Sequence, residues 1–275
     1  MKKLRASRLI LHFYLLLFTL LSVSPLVLLF MNGLKPKTER MTSPFTPPVE
    51  PTFDSIIEAW DRGGYLMGYI NNTVVGAASI LIIIVAASAG AYALSKLDFK
   101  GKGLYLVLLF VIIAVPMGVY LVPIFFLYAN IGLMDTIVGI IIIYSGVFLP
   151  FVTFLFRTYF IGIPVEISES AFIDGLNHFQ IYSRVILPIS KPMIVTSAVI
   201  LGLWTWNEFF FSNALLQSHD TRTVASRYFA FVGTFTADWN LIAAAGIITI
   251  VPVIVAYAFL QDKFVSGITE GSLKG

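Results

Sequence analysis

The stretch that decides the fold reads ESAFIDG from Glu169 to Gly175, and the pair Leu187-Pro188 follows it. It is a polar, acid-bearing insert in an otherwise very apolar chain. The chain has no room for an energy source of its own. We therefore expect the insert to be a docking site for the partner protein that drives this chain.

The insert predicts two short helices joined by a tight turn. Pro164 suits the first turn of a helix because it has no amide hydrogen to lose, so we expect a helix from about Pro164 to Asp174. Gly175 permits a positive φ that ends it sharply. A second helix should run from Asn177 to Leu187, where Pro188 stops it. The alternative is an ordinary amphipathic loop at the membrane interface.

Composition places the chain in a lipid bilayer. Of its 275 residues, 58% are hydrophobic and only 12% are charged, with a mean hydropathy of +0.89. A soluble domain of this length could not bury that much apolar surface. The net charge of +3 is dispersed among apolar spans, which favours membrane topology over nucleic-acid binding, and the absence of cysteine excludes disulfides and thiolate metal sites.

Six apolar segments are long enough to cross about 30 Å of hydrocarbon, which takes roughly 20 helical residues each. The first is too long for the apolar core of a signal peptide, so we expect it to be retained. The sequence predicts an all-α membrane protein with a single transmembrane domain over 1–275 and a cytoplasmic coupling loop at 157–191. The expected spans are 9–31, 70–95, 104–128, 136–156, 192–213 and 241–260.

Lysine and arginine are distributed unevenly between the two sides of the predicted spans. If the N-terminus is cytoplasmic, the inner segments 1–8, 96–103, 157–191 and 262–275 hold 12 of the 18 basic residues. Positively charged residues are enriched in cytoplasmic loops. We therefore expect both termini and the Glu169–Pro188 insert to lie inside the cell.

The insert resembles the "EAA" loop, E-A-A-x-x-D-G-A with a trailing I-x-L-P, of the membrane-spanning subunits of ATP-binding cassette (ABC) importers. Glu169, Asp174 and Gly175 stand at the matching positions. Three mild departures occur at other positions of the pattern. They are Ser170 for alanine, Leu176 for alanine and Val185 for isoleucine.

The resemblance extends along nearly the whole chain, towards carbohydrate permeases similar to the maltose-importer subunit MalG. It implies the type I importer fold in a bacterial or archaeal cell membrane. It also implies four kinds of partner: a second, MalF-like permease, two ATPase subunits, an extracytoplasmic sugar-binding protein and membrane lipid. The supporting patterns are Asn32–Pro36, Asn71–Thr73, Ala91–Leu94, Gly132–Thr136, Trp206–Phe209, Phe264–Gly267 and Gly271–Gly275.

The same resemblance implies which residues couple the chain to the ATPase. It implies no catalytic residue in this chain and no bound cofactor or metal, because ATP and magnesium would be held by the partner ATPase. The implied coupling residues are Glu169, Ser170, Ala171, Asp174, Gly175, Leu187 and Pro188.

Enzyme motifs are absent from the sequence itself. The phosphate-binding pattern G-x-x-x-x-G-K-[ST] does not occur, and the Gly101-Lys102 pair lacks both the upstream glycine and a following serine or threonine. The histidines, His12, His178 and His219, are scattered without the spacing of a metal site. ATP must therefore be hydrolysed by another chain.

The fifth predicted span carries polar residues among aromatic ones. An ionised Glu208 facing lipid at mid-depth would cost roughly 2.5–3.5 kcal/mol, so it should face a water-filled cavity or a polar partner on the other permease. Tryptophans here also suit an interfacial belt. We hypothesise that the substrate path includes Trp204, Asn207, Glu208 and, in the second span, Asn72.

The sequence therefore predicts one subunit of an ATP-driven, binding-protein-dependent sugar importer that works by alternating access. One alternative is a self-sufficient, ion-coupled secondary transporter. Such a transporter should show internal repeats and several intramembrane charges, whereas only Glu208 lies within a predicted span. An ABC importer permease for a non-sugar solute is the other alternative.

Overall fold

Apolar runs become helices throughout the part of the chain that the structure describes. The computed structural model describes the backbone of residues 2–39, 43–235 and 238–272, with side chains described from Ile10 to Phe259 of these ranges except residue 37. Helices were expected because apolar runs of this length can satisfy their backbone groups in lipid only within themselves. The predicted all-α class is confirmed.

Thirteen α-helices are found in the described ranges. Between α8 and α9 the helix continues as a π-helical turn, Tyr182–Ile186. The α-helices are α1 (Lys2–Gly33), α2 (Asp54–Gly63), α3 (Tyr65–Lys96), α4 (Lys102–Ala114), α5 (Met117–Ile131), α6 (Ile137–Ile161), α7 (Val165–Ile173), α8 (His178–Ile181), α9 (Leu187–Ile189), α10 (Lys191–Asn207), α11 (Phe210–Leu215), α12 (Val224–Thr234) and α13 (Trp239–Ser272).

The chain divides into two units. Unit 1 comprises Met1–Leu66 and Arg227–Pro252, and unit 2 comprises Met67–Ser226 and Val253–Gly275. In unit 1, α1 and α13 approach so closely that a Cβ on Gly33 would lie 2.4 Å from the side chain of Ile247. Only glycine allows that packing without a shift.

The connection between α1 and α2 in unit 1 is held by buried polar contacts. Lys35 is fully buried, and its Nζ donates to Asn32 Oδ1 at 3.0 Å and to the Ser43 carbonyl at 2.8 Å. Arg227, also buried, donates from Nη1 to the Gly63 carbonyl at 3.0 Å, at the end of α2. The Asn32–Pro36 pattern therefore has a structural role in this unit.

Unit 2 holds the main hydrophobic core, which is built from α3, α5, α6, α10 and α11. The small residues of α3 allow close packing, as the sequence indicates: Ala87 and Ala91 are fully buried, and a Cβ on Gly90 would lie 3.9 Å from Thr153 of α6. The largest buried rings come from α6, and they include Tyr144 and Phe156.

Two of the six predicted spans are not continuous helices. The span expected at 104–128 is two helices, α4 and α5, bent by 95°. Pro116 causes this break, because the residue before a proline avoids helical angles and Val115 is extended. The described residues contain four long apolar helices, or up to six spans if each bent pair crosses the membrane once.

The span expected at 192–213 is also interrupted. Helix α10 follows α8 and α9 after a 74° bend, and it ends at Asn207. Glu208 has extended angles, φ −68° and ψ 114°, before α11 begins at Phe210. The side chain of Glu208 provides the reason for this break, as described below.

Candidate functional site

The segment Val165–Ile189, which we call the two-helix loop, contains the ESAFIDG stretch. Its first helix, α7, follows Pro164 closely as predicted. The second was predicted as one helix that Pro188 stops, and this was wrong at its end. A π-helical turn begins at Tyr182, where the Tyr182 carbonyl accepts from the Leu187 amide, and Pro188 lies inside α9. This wider turn leaves room for a proline ring that cannot donate a hydrogen bond.

The turn between the helices is a glycine-dependent helix end. Gly175 has a φ of +84°, as expected from the sequence. Its amide donates to the Phe172 carbonyl at 3.0 Å, and the Leu176 amide donates to the Ala171 carbonyl at 3.1 Å. These bonds form a Schellman-type end, which requires a residue in the left-handed region.

The start of α8 is fixed by a capping box. Asn177 Oδ1 accepts from the Gln180 amide at 2.9 Å, and Gln180 Oε1 accepts from the Asn177 amide at 2.9 Å. Reciprocal caps of this kind satisfy amides that a helix start would otherwise leave unpaired. Hydrogen bonds therefore fix the backbone of the two-helix loop on both sides of its turn.

Most of the implied coupling residues lie at the surface of the two-helix loop. Ala171 is buried and Leu187 is half-buried. Near the turn between α7 and α8, which we call the tip, two large apolar side chains are exposed to solvent: Ile173 is 87% and Phe179 is 74% exposed. An exposed apolar tip bordered by carboxylates is a surface suited to a protein partner. The exposed members of the implied set are Glu169, Ser170, Asp174, Gly175 and Pro188.

A second candidate site is a cleft of about 540 Å³ in unit 2. It brings together three of the four predicted path residues, Trp204, Asn207 and Glu208. Asn72 does not line this cleft; it is buried in α3, and its Oδ1 has no hydrogen-bond partner among the described residues. The other lining residues are aromatic or aliphatic, and they include Tyr120, Phe148, Phe151, Phe209 and Phe210.

Aromatic contacts fix the wall of the cleft. The Trp204 ring packs at 5.3 Å from the Phe148 ring and at 4.9 Å from the Phe151 ring, centroid to centroid. Asn207 is exposed at the end of α10, where its Nδ2 donates to the Leu203 carbonyl at 2.8 Å. The cleft therefore offers a fixed indole and an exposed amide side by side.

Glu208 is buried and fully hydrogen-bonded. Its Oε1 accepts from the Phe211 amide at 2.8 Å, and its Oε2 accepts from the Ser212 amide at 3.1 Å and from the Tyr144 hydroxyl at 2.5 Å. We expected Glu208 to face a cavity or a polar partner on a second permease; it lines the cleft, and its carboxylate is bonded by groups of this chain. The carboxylate stabilises the start of α11, which explains why α10 ends at Asn207.

The loop after α11 is fastened to the loop before α6 by Asp135, a contact that sequence reasoning missed. Asp135 Oδ1 accepts from the amides of Gln217 at 2.8 Å and Ser218 at 3.1 Å, and from the Thr221 hydroxyl at 2.5 Å. Its φ of +57° is one that aspartate tolerates. The partners lie more than 80 residues away, so no local pattern reveals them.

These contacts set the ionisation of Asp135. Partial burial raises the pKa of the carboxyl, but the hydrogen bonds from Thr221, Ser218 and Gln217 outweigh that effect and hold the pKa below its ordinary value. Because the folded pKa is depressed, the contact stabilises the loop above the unfolded pKa. That stability is lost as the pH falls through the folded pKa, below about pH 4.

We expect Asp135→Asn to loosen the loop at 216–222. The neutral amide keeps the left-handed backbone but loses charge-assisted acceptance, so amide hydrogen exchange at Gln217 and Ser218 should rise roughly 5- to 10-fold near neutral pH. In the wild-type protein, the protection of these two amides from exchange should decrease when the pH falls below about pH 4. Asp220→Asn, in the same loop with a side chain 90% exposed, is the control. Equal exchange in both variants would refute this role for Asp135.

Comparison with known proteins supports the permease fold. The chain is 32% identical to "Probable ABC transporter permease protein YurM" of Bacillus subtilis, over 95% of this chain and 87% of that protein. It is 28% identical to "Arabinooligosaccharides transport system permease protein AraQ" of Halalkalibacterium halodurans, over 93% of this chain and 92% of that protein.

A solved structure has the same fold. It is the crystal structure of a bacterial ABC transporter involved in the import of the acidic polysaccharide alginate; one of its chains superposes with a TM-score of 0.81 at 23% identity, covering 94% of this chain and 97% of that one. Residues 79–270 match the family described as "Binding-protein-dependent transport system inner membrane component". The protein is therefore a multi-pass membrane protein that belongs to this family of transport permeases.

Proposed function

We propose that this chain is a permease subunit of an ABC importer that moves a sugar or oligosaccharide across the cell membrane. The observation that carries the proposal is the cleft beside Trp204 and Asn207. Aromatic faces pack against the C–H faces of sugar rings, and a few placed polar groups fix a ligand's orientation. The arabinooligosaccharide system named for one relative, and the alginate importer that shares the fold, support a carbohydrate substrate.

Within this proposal, Trp204 and Asn207 line the translocation path directly. Both are exposed to the cleft, and the side chain of Asn207 bonds only locally among the contacts described. Glu208 contributes differently, because its carboxylate is occupied by backbone amides and by Tyr144. We assign Glu208 the role of holding the helix break that presents its two neighbours. Asn72 does not line the cleft, so we do not include it in the proposed path.

We further propose that the two-helix loop receives an ATPase subunit, which binds ATP and magnesium and performs the hydrolysis. The exposed Ile173 and Phe179 give an apolar surface for a partner, and Glu169 and Asp174 give it charge. The capped turn makes the loop stiff enough to transmit a displacement. Closure of two ATPases would then bring the loops of this chain and a second permease together and open the cleft towards a loaded binding protein.

Recovery of the natural complex tests this assembly. The tagged chain, purified from its native membrane in mild detergent, should bring down a second permease and ATPase subunits. Loaded binding protein should then stimulate the ATPase activity of that complex. A lone chain that transports solute on an ion gradient would instead establish the secondary-transporter alternative.

The orientation is tested by labelling with single cysteines. The sequence has no cysteine, so each introduced thiol is the only one present. With the proposed topology, a membrane-impermeant maleimide added to intact cells should label cysteines that replace Glu50 and Asp220. It should label those replacing Lys100 and His178 only after the membrane is opened. Gly275, also expected inside, lies outside the described residues. Labelling of the His178 position in intact cells would overturn the ATPase-docking proposal.

A further inference from the structure

The inner end of α3 carries a row of side chains that fasten the two-helix loop. Ser88, Tyr92 and Lys96 are spaced four residues apart, so they lie on one face of the helix. Ser88 Oγ and the Tyr182 hydroxyl share a hydrogen bond of 2.8 Å. The Tyr92 hydroxyl lies 3.5 Å from Nδ1 of His178, and the Tyr92 and Tyr182 rings pack with centroids 5.6 Å apart.

The third member of the row reaches the base of the same loop. Lys96 Nζ donates to the carbonyl of Ile163 at 2.7 Å, just before α7, and Ile163 is buried. Tyr182, the partner of Ser88, is the residue at which the π-helical turn begins. Contacts at the base, at α8 and at the π-helical turn therefore attach the whole loop to one helix.

The outer end of α3 is fastened as firmly to another loop. Asn71, which is buried, donates from Nδ2 to the Asp220 carbonyl at 2.6 Å and to the Arg222 carbonyl at 3.1 Å. We call residues 216–222 the outer loop of unit 2. Asp135 holds the same loop from its other side. The loop is thus clamped between α3 and the turn before α6.

Helix α3 runs without a break between the two loops. It contains no proline over its 32 residues, whereas α6 contains Pro150 and the α4–α5 pair is bent by 95°. Ser88 lies 17 positions after Asn71, which corresponds to about 26 Å along the helix axis. Its small residues pack into the core of unit 2. A continuous, packed helix of this kind can carry a displacement from one end to the other.

We infer that α3 is the element that transmits movement between the two-helix loop and the outer loop of unit 2, with Ser88, Tyr182 and Asn71 as its positioning contacts. The inference rests on the proposed function, in which the two-helix loop receives the ATPase. It adds that the signal does not travel only through α6 and α10, the helices joined covalently to the loop. It travels through a helix that meets the loop by side-chain contacts alone.

The test separates coupling from docking by removing single hydroxyl groups in the full complex. Tyr182→Phe keeps the ring packing and removes the bond to Ser88, and Ser88→Ala removes it from the other side. In both variants, stimulation of the ATPase by loaded binding protein should fall roughly 3- to 10-fold. In Ser88→Ala, whose residue lies outside the two-helix loop, co-purification of the ATPase and its basal activity should stay unchanged. The matched controls should keep full stimulation. They are Tyr105→Phe, whose ring is exposed on α4, and Ser95→Ala, whose hydroxyl bonds only to its own helix.

The contact of Asn71 with the outer loop of unit 2 allows an independent test of the inference. Asn71→Asp places a carboxylate against two carbonyl oxygens and should reduce stimulation to a similar extent, while Asn130→Asp on the exposed end of α5 should not. Since the contacts act in series, Tyr182→Phe combined with Asn71→Asp should lose little more than the worse single variant.

The possible results distinguish a failure of this inference from a failure of the proposed function. Full stimulation in Tyr182→Phe and Ser88→Ala, or loss that multiplies in the double variant, would overturn the inference. An unchanged chain that recovers no ATPase would instead overturn the proposed function.

Discussion

Gly175→Val is expected to abolish most ATP-driven uptake while leaving membrane insertion intact. Gly175 has a φ of +84°, and a Cβ placed on it would meet nothing within 4 Å, so the penalty comes from the backbone alone. A β-branched residue in the left-handed region is strained by about 1–3 kcal/mol. Relief of that strain would break the hydrogen bonds at the end of α7 and displace the exposed side chains of Ile173 and Phe179. Uptake and ATPase recovery should fall roughly 5- to 150-fold.

Two controls isolate the backbone effect. Gly175→Asn should retain most activity, because asparagine tolerates positive φ. Gly103→Val makes the same side-chain change at an exposed glycine on α4, where φ is ordinary and space is open, so it should behave as the unchanged protein. Wild-type transport together with normal recovery of the ATPase in Gly175→Val would show that the turn is not needed for docking.

Glu208→Ala should have the second large effect, on both stability and uptake. The substitution leaves the amides of Phe211 and Ser212 and the hydroxyl of Tyr144 without their acceptor in a buried site. An unsatisfied buried group costs about 1–3 kcal/mol, so the junction of α10 and α11 should lose roughly 3 kcal/mol and the melting temperature of the complex should fall. Glu208→Gln keeps one acceptor oxygen, so its melting temperature and uptake should lie between those of the wild-type complex and those of Glu208→Ala.

The measurement that assigns the role of Glu208 compares Tm with the KM for uptake. A positioning role predicts a lower Tm in Glu208→Ala and a smaller decrease in Tm in Tyr144→Phe. Asn207→Ala should instead raise the KM with an unchanged Tm, since Asn207 is exposed and its Nδ2 bonds only within α10. If Glu208→Ala raised the KM at an unchanged Tm, Glu208 would be a substrate contact and the positioning account would be wrong.

The predictable part of this structure is the part that depends on neighbours in the sequence. Long apolar runs gave the helices, and Pro164 and Gly175 gave the start and the end of α7, because these residues restrict or release their own backbone angles. Pro116 marks a point where the third predicted span can bend, and the same local rule applied to Val115 accounts for the break. A single span was still expected there because the apolar run continues through the proline.

The unpredicted part depends on contacts between residues far apart in the chain. Glu208 interrupts the fifth predicted span by accepting from two amides of α11, and Tyr144, 64 residues earlier, bonds the same carboxylate. Asp135 and Asn71 were recognised only as members of patterns, and their partners in the outer loop of unit 2 lie more than 80 residues away. A polar residue in an apolar span signals that a partner exists, but its identity comes only from the fold.

Reconstituted uptake tests the central claim most directly. The purified complex would be placed in proteoliposomes with ATP sealed on the side of the two-helix loop, and candidate radiolabelled oligosaccharides would be added outside with the binding protein. The account predicts uptake only when ATP, ATPase and loaded binding protein are all present, and none from this chain alone. Uptake by this chain alone, driven by an ion gradient and indifferent to ATP, would contradict it.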